Sequence, residues 1–414
     1  FVKKVTIDTD VAPLSKAEYP MPFALPEEPG EYAVTVSFTL KEDTKWAKAG
    51  HEVAFGQEIF RKKGEENPKK NPPVEVIYGK LNLGVRGENF DVLFSGLNGG
   101  LVSYRYAGKE MIEAIPMPNF WRAPTDNDYG NGMPKRLQIW KESSKNFNVT
   151  DATVTMDGNN AVVNVNYLLP AGNLYIVNYT IYPSGAVNVA ARFTSTDMDA
   201  AQTEVSESTR TATFTPGRDA ARKEASKLNV PRIGVRFRLP ASMNQVEYFG
   251  RGPAENYLDR NAGSMVGLYK STAEELYFPY VRPQENGHHT DTRWVSLSTG
   301  KKGLLIQADN TIGFNALRNS IEDFDDEEAT GLSRQWSNFT PEQVANHDEA
   351  AAKNVLRRQH HINDITPRDF VEVCVDLKQQ GVAGYDSWGS RPEPAYTLPA
   401  NREYNWGFTL IPLK

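Results

Sequence analysis

The sequence predicts an all-β protein built from antiparallel strands. Apolar residues alternate with polar or small ones in many short segments, which is the pattern of half-buried strands. Turn residues separate these segments along most of the chain, and no strand–helix alternation of the βαβ type recurs. With 414 residues, 39% of them hydrophobic, the chain can bury a large core in two to three domains, or in one large and one small domain.

The clearest strands lie in three parts of the chain. Apolar residues occupy every second position of 32–40 and of 233–239. Between residues 177 and 193, two alternating segments flank the turn sequence Pro183-Ser184-Gly185. Because Pro, Ser and Gly each favour tight turns, this part of the chain predicts a β-hairpin.

Domain limits follow from composition. Residues 61–73 are charged and proline-rich without an apolar period, which predicts an exposed linker between a first domain, 1–60, and a second, 74–414. A polar stretch at 197–229 has the character of an insertion. Helix signals are few, and the best is the capping pattern of 340–343, which predicts a short surface helix.

Net charge and the length of apolar runs argue against some classes of partner. The formal net charge of −6 is small and the basic residues are scattered, so neither a nucleic acid nor an anionic membrane is expected as a partner. No apolar run approaches the ~20 residues that cross a bilayer, and the first residues lack the apolar core of a signal peptide. Because the chain starts with Phe1, we interpret it as a fragment or trimmed product. Its compartment, cytoplasmic or periplasmic, is therefore left open.

Cys374 is the chain's single cysteine. It lies within the alternating segment 370–376, where the expected role is that of a small buried hydrophobe. A single thiol cannot form an internal disulfide.

Four segments are dense in polar and aromatic residues but show neither strand nor helix periodicity. Loops of this kind carry function on rigid β scaffolds, which makes them the candidate sites. The four segments are 120–130, 248–260, 280–294 and 381–394.

The first segment could bind a sugar. Trp121 could stack on it while Arg122 and Asp126 form hydrogen bonds, or Asp126, Asn127 and Asp128 could offer oxygens to a hard cation. Alternatively, Trp121 packs and the Asp and Asn residues cap a turn.

The second segment carries charges of both signs within one loop, from Arg251, Glu255, Asp259 and Arg260, together with Asn256. Such density most often gives a structural network of ion pairs and hydrogen bonds, and less often a functional pocket. Both alternatives stay open.

The third segment holds the most groups capable of catalysis. Glu285 with His288 or His289 could act as an acid–base pair, since imidazole titrates near neutrality. Metal binding is less favoured, because adjacent histidines on a strand point to opposite faces and no second His/Cys pair lies at ligand spacing. Asn286 and Arg293 are further candidates for sugar contacts. A purely structural loop is the alternative.

The fourth segment is rich in Gly and Pro around Trp388, with Asp386 beside it. Gly and Pro shape such a loop without burying it, so Trp388 is expected at the surface. An exposed indole without a core role is a natural platform for stacking on a sugar.

Taken together, these segments resemble the C-terminal region of glycoside hydrolase family 2 β-galactosidases. The matching strings occur in the family's order and are Phe120-Trp-Arg-Ala-Pro-Thr-Asp-Asn-Asp128, Gly250-Arg-Gly-Pro-Ala-Glu-Asn-Tyr-Leu-Asp-Arg260, Tyr280-Val-Arg-Pro-Gln-Glu-Asn-Gly287 and Asp386-Ser-Trp-Gly389. Ile7-Asp-Thr-Asp-Val-Ala-Pro13 and Trp46-Ala-Lys-Ala-Gly-His51 resemble, more loosely, the immunoglobulin-like linker domain that precedes the final domain. The stretch 197–229 is longer than the family's usual connection.

This resemblance implies a partial immunoglobulin-like β-sandwich at 1–60 and a large antiparallel galactose-mutarotase-like supersandwich at 74–414. It implies a parent enzyme, often oligomeric, that hydrolyses terminal β-galactosides with retention. Trp388 would stack on substrate in the active site of a neighbouring TIM-barrel domain. The parent would bind Mg and Na, whereas no cofactor is expected within this chain.

The catalytic carboxylates are expected elsewhere. Retaining glycosidases use two carboxyl groups about 5–5.5 Å apart, and the resemblance places both glutamates in the barrel, the acid/base directly after an Asn. No Asn-Glu dipeptide occurs in this sequence. We therefore expect the chain alone to be inactive on lactose.

Two alternatives to this accessory role remain. One is an aldose 1-epimerase-like activity of Glu285 with His288 or His289, although a shared fold does not carry chemistry with it. The other is an independent carbohydrate-binding module whose pocket is lined by Trp121, Arg122, Asp126, Glu285, Asn286 and Arg293.

Overall fold

The computed structural model describes residues 2–62, 72–194, 228–325, 361–386 and 389–413. Contacts divide the chain into two compact units, Phe1–Lys70 and Asn71–Lys414. The domain limits drawn from the sequence stay a prediction, because residues 63–71 lie outside the described ranges. The same holds for the helix predicted at 340–343 and for nearly all of the polar stretch 197–229.

Strands dominate the described residues, which confirms the all-β class. They are β1 (Gly30–Thr39), β2 (Glu52–Lys62), β3 (Glu75–Tyr78), β4 (Asn82–Arg86), β5 (Phe90–Ser95), β6 (Leu101–Tyr106), β7 (Lys109–Glu110), β8 (Ala114–Asn119), β9 (Asn148–Asp157), β10 (Asn160–Leu168), β11 (Leu174–Ile181), β12 (Val187–Phe193), β13 (Arg232–Pro240), β14 (Gln245–Gly252), β15 (Met265–Thr272), β16 (His289–Ser298), β17 (Gly303–Leu317), β18 (Phe370–Gln379) and β19 (Tyr404–Leu413).

Helices in the described residues are short. They are α1 (Asp126–Gly130), α2 (Met133–Arg136), α3 (Gln138–Ser143) and α4 (Ile321–Phe324), with 3-10 turns at Ile362–Asp364 and Pro394–Tyr396. None of them is long and apolar enough to span a membrane.

The first unit contains one antiparallel pair, β1 with β2. The alternating segment at 32–40 does form a strand, but its apolar side chains are less buried than the pattern suggests: Val36 is 52% exposed and Phe38 51%. A sandwich needs a second sheet to cover such a face, and the described residues of this unit form one sheet. The immunoglobulin-like assignment stays a prediction.

The described residues of the second unit form two sheets. Strands β3 to β7 form a five-stranded sheet in chain order. A twelve-stranded sheet runs in the order β15-β14-β16-β17-β19-β12-β11-β10-β9, and β17 also pairs with β18, which leads through β13 to β8. All of these pairings are antiparallel, as the turn-separated strands of the sequence indicate.

The predicted hairpin is confirmed. In β11 and β12, Val177 faces Ala191 and Tyr179 faces Val189. The turn closes through a hydrogen bond from Tyr182 N–H to Ala186 O, and Gly185 has the positive φ of +89° that favours glycine at this place. Alternate side chains of both strands are buried in the core.

One face of β13 presents the predicted apolar residues and is buried. The other face is partly buried and places Arg236 opposite Cys374 and Arg238 opposite Glu372 of β18, whereas Asp376 lies opposite Gly234. Cys374 is 3% exposed, and burial raises the pKa of its thiol. Its expected role as a buried small residue is confirmed.

Candidate functional site

The four polar segments, far apart in the sequence, are in contact with one another in the structure. Arg122 of the first segment donates from Nη2 to the carbonyl of Gly381 in the fourth, over 3.1 Å. Asp259 of the second accepts the N–H of Val382, also in the fourth.

The third segment joins the same cluster. Glu255 of the second segment accepts the N–H of Gly287 over 2.7 Å. Gln284 of the third segment forms two hydrogen bonds of 3.1 Å with Asp126 of the first. Its Oε1 accepts the backbone N–H of Asp126, and its Nε2 donates to Asp126 Oδ2. The four loop strings that were selected from the sequence therefore form one continuous polar region.

Arg122 is the centre of the first segment and is fully buried. Its Nε and Nη2 bind both oxygens of Asp128, at 3.1 and 2.9 Å. Nη1 donates to the side chain of Gln379 and to the carbonyl of Gln380, and Nη2 also donates to Gly381 O. All five guanidinium N–H groups are thus engaged inside the protein. This geometry favours a structural role over direct sugar binding.

Helix α1 begins within the first segment. The Thr125 hydroxyl accepts the N–H of Asp128, and the Asp128 carboxylate accepts the N–H of Thr125, which is a capping box. The Thr-x-x-Asp spacing was a readable signal for this helix. It corresponds to the alternative in which these acidic residues cap a turn.

Trp121 packs in the interior rather than facing an open pocket. Its indole Nε1 donates to Asp325 Oδ2 over 2.7 Å, and the ammonium group of Lys141 lies 2.7 Å from the same oxygen. Lys141 also lies over the indole ring. By contrast, the side chain of Asp126 is exposed and pairs with Arg282 at 3.4 Å.

Glu285 belongs to a second buried cluster. Its Oε1 accepts hydrogen bonds from Arg232, Asn315 and Gln379 over 3.0–3.1 Å. Arg232 Nε in turn lies 3.2 Å from Asp376 Oδ2. Gln379 connects this cluster to the first one, because its Oε1 accepts from Arg122.

The carboxyl group of Asp376 in this cluster has a displaced pKa. Burial raises the pKa to about 7; Arg232 opposes the shift, and the neighbouring carboxylate of Glu285 adds to it. Carboxyl groups buried in a medium of low polarity shift in this direction because the charged form loses its hydration.

His288 and His289 are both buried and contact different partners, although His289 is the first residue of β16 and His288 precedes the strand. His288 Nδ1 lies 2.8 Å from Asn315 Oδ1, whereas His289 contacts the carbonyls of Gly287 and Pro253 at 3.1 and 3.2 Å. Burial lowers the pKa of both imidazoles. Both rings are buried against protein groups, and the acid–base role of Glu285 with His288 or His289 stays a prediction.

The remaining candidates of the third segment, Asn286 and Arg293, bond to the protein backbone. Asn286 is buried and bonds to backbone at both ends of its amide, accepting from Phe278 N–H and donating to Gln284 O. Arg293 is half-buried and donates to the carbonyl of Asp291 over 2.5 Å. The six-residue sugar pocket expected from the sequence stays a prediction.

The fourth segment is a loop whose ends meet. Gly381 N–H donates to Tyr396 O over 2.8 Å, which closes the loop at its base. Asp386 is exposed and accepts the N–H of Ser390 over 3.2 Å. Trp388 lies outside the described residues, and its stacking role stays a prediction.

Sequence reasoning missed the partners that organise the buried clusters. These partners are strand residues, Arg232 on β13 and Asp376 and Gln379 on β18, and the sequence pattern was used only to predict the apolar face of such strands. A charged residue within a strongly apolar strand could have indicated a buried ion pair. Among the described residues, no group of three or more His, Cys, Asp or Glu side chains is placed to hold a metal ion.

Two family models match the chain. The model described as "Beta galactosidase small chain" matches residues 86–410, and the model described as "Beta-galactosidase, domain 4" matches residues 2–60.

Curated relatives agree with these matches. The β-galactosidase of Priestia megaterium is 31% identical over 98% of this chain and 34% of its own length. The β-galactosidase small subunit of Latilactobacillus sakei is 29% identical over 82% of this chain and 98% of its own length. The chain thus spans about a third of the longer relative and nearly all of the small subunit.

Among solved structures, a galactose 1-epimerase from Lactobacillus acidophilus NCFM aligns with 82% of this chain and 98% of its own, with a TM-score of 0.38 and 9% identity.

Proposed function

Because the chain belongs to the β-galactosidase small-chain family, we propose that it is the accessory part of an enzyme that hydrolyses terminal β-galactosides with retention. The observation that carries this proposal is the length of the match. The chain covers nearly all of a relative named as a small subunit but only a third of relatives named as the whole enzyme.

The proposal assigns catalysis to a partner. A TIM-barrel part, either a separate large subunit or another region of the same polypeptide, would supply both glutamates and any Mg or Na. The missing Asn-Glu dipeptide supports this division of labour. The complete enzyme would be a homo-oligomer of this assembly.

This chain's own contribution would be the loop 381–396. The proposed contact with the galactoside is the indole of Trp388, with Asp386 beside it. The four-segment cluster supports this role indirectly, because its buried hydrogen bonds end at the base of that loop. Glycosidase active sites need their substrate-contacting groups held within fractions of an ångström.

The test uses the complete enzyme, this chain together with its catalytic part. Trp388→Ala should raise KM for a nitrophenyl β-galactoside and lower kcat/KM by roughly tenfold, the equivalent of about 1.4 kcal/mol of lost stacking. Trp46→Ala is the matched control, since Trp46 is an exposed tryptophan far from these segments in the sequence. Unchanged kinetics for Trp388→Ala would remove the stacking role, and hydrolysis by the chain alone would refute the accessory role.

Independent sugar binding is the second candidate, favoured by one observation. The outer face of β10, β11, β12 and β19 forms a pocket of about 410 Å³. Its polar lining comes from Asn164, Asn166, Asn178, Arg192 and Asn405. Amide groups both donate and accept hydrogen bonds, as sugar hydroxyls do. Calorimetric titration of the chain with galactose and lactose is the test. Heat that persists unchanged in Asn178→Ala, or no heat at millimolar sugar, rejects this pocket.

A further inference from the structure

The base of the loop 381–396 is held from two sides by groups of opposite charge. On one side, Arg122 donates to the carbonyls of Gln380 and Gly381 over 2.7 and 3.1 Å. On the other side, Asp259 accepts two consecutive backbone N–H groups, Val382 at Oδ1 over 3.0 Å and Ala383 at Oδ2 over 2.8 Å. Four backbone polar groups, which belong to three successive peptide groups, are therefore held by two side chains.

The carboxylate of Asp259 suits this task because it offers two acceptors and no donor. Hydrogen bonds from backbone N–H to an ionised acceptor are stronger than those between neutral groups. They hold Ala383 in a left-handed conformation, with φ of +55°, that residues with a side chain seldom adopt. The loop thus leaves the sheet in a direction that its own backbone preferences would not select.

Close packing at Gly381 shows how tightly the carboxylate meets the loop. A Cβ added to Gly381 would lie 2.4 Å from Asp259 Oδ2. The far side of the loop is equally close to its neighbour, because a Cβ on Gly389 would lie 2.5 Å from the backbone of Gly130 in α1. Neither Gly381 nor Gly389 therefore leaves room for a side chain.

We propose that Asp259 is a positioning residue for the galactosidase reaction, an inference that rests on the proposed function. It acts through the backbone of Val382 and Ala383 to set the path of the loop and, through it, the placement of Trp388 against the substrate. In this role Asp259 acts on the backbone of the loop, and Arg122 completes the clamp from the carbonyl side.

Asp259→Asn tests this proposal with almost no change in shape. Asparagine keeps one acceptor oxygen but turns an N–H₂ group toward a backbone N–H, so one of the two bonds is lost. In the purified chain, hydrogen exchange at Val382 and Ala383 should become faster by about tenfold, the size expected from one charge-assisted hydrogen bond. The exposed carboxylate Asp91 on β5 provides the control, and Asp91→Asn should leave this exchange unchanged.

In the complete enzyme, Asp259→Asn should raise KM and lower kcat/KM by several-fold to about tenfold, because misplaced binding groups lose that much. In a Trp388→Ala background the same substitution should have almost no further effect, since both changes act through one contact. An equal effect in both backgrounds overturns the positioning role. Unchanged exchange at Val382 and Ala383 overturns the clamp itself. If Trp388→Ala alone is silent, the stacking proposal fails, whatever the exchange experiment shows.

Discussion

Two buried arginines, Arg122 and Arg232, have different kinds of partner. Arg122 pairs with one carboxylate and uses its other donors on an amide and on two carbonyls of a neighbouring loop. Arg232 lies near two carboxylates, Glu285 and Asp376.

The difference lies in the charge balance. The Arg122 cluster is neutral, and its remaining hydrogen bonds serve geometry. The Arg232 cluster would carry a net charge of −1 if both carboxylates were ionised, and this excess is one reason why the pKa of Asp376 is raised. A buried cation can thus either hold a loop in place or compensate acids within a core, and these roles predict different responses to mutation.

Arg232→Met should give the largest loss of stability. It leaves Glu285 and Asp376 buried without their cation, and breaking a buried ion pair from one side costs about 3–5 kcal/mol. Urea unfolding followed by tryptophan fluorescence at pH 8 measures the change. Arg86→Met, at an exposed arginine of β4, should stay within about 0.5 kcal/mol of the wild type. A comparably small effect of Arg232→Met would mean that the cluster does not stabilise the core.

Asp376→Asn should change how stability depends on pH. The pKa of Asp376 rises from 3.8 to about 7 on folding, so the folded state holds this proton more tightly than the unfolded state. Its contribution to stability is complete below pH about 4 and is lost as the pH rises through about 7.

Asparagine mimics the protonated acid, so the variant should gain on the wild type between pH 4 and 7. The advantage should level off at roughly 2–4 kcal/mol by pH 8, as expected for a shift of this size. Urea unfolding of both proteins across this range measures it. A difference between variant and wild type that does not vary with pH would show that Asp376 is ionised throughout.

Asp128→Asn should give a smaller loss, about 2–3 kcal/mol, by removing the charge from the bidentate pair with Arg122. Asp126→Asn, two residues away, should cost less than about 0.5 kcal/mol because its ion pair with Arg282 is exposed. Thermal unfolding of the two variants side by side compares them. Equal losses would show that burial does not set the strength of these pairs.

Local patterns predicted the local structure well. The β11–β12 hairpin and the buried place of Cys374 followed from alternation and turn residues alone. The burial of β1 did not, since alternation reports that a strand has an apolar face but not what covers it. Helix α1 was missed although Thr125 and Asp128 carry its capping signal.

The contacts between segments of the candidate site could not be predicted from local sequence patterns. The four loop segments were recognised one by one, but nothing local in the sequence joins Arg122 to Gly381 or Asp259 to Val382. These contacts depend on strands that bring distant residues together. Sequence reasoning also assigned Arg122 and Glu285 to ligands because their types suit sugar binding, whereas both are occupied by protein partners.

The single, buried Cys374 makes this chain well suited to site-specific labelling. A thiolate is the reactive form, and burial suppresses it at this position. A cysteine introduced at the exposed Tyr385 or Arg391 would therefore react with a thiol reagent, whereas the buried Cys374 of the folded chain would not. A fluorophore or spin label attached there would report on its surroundings in the loop without background from Cys374.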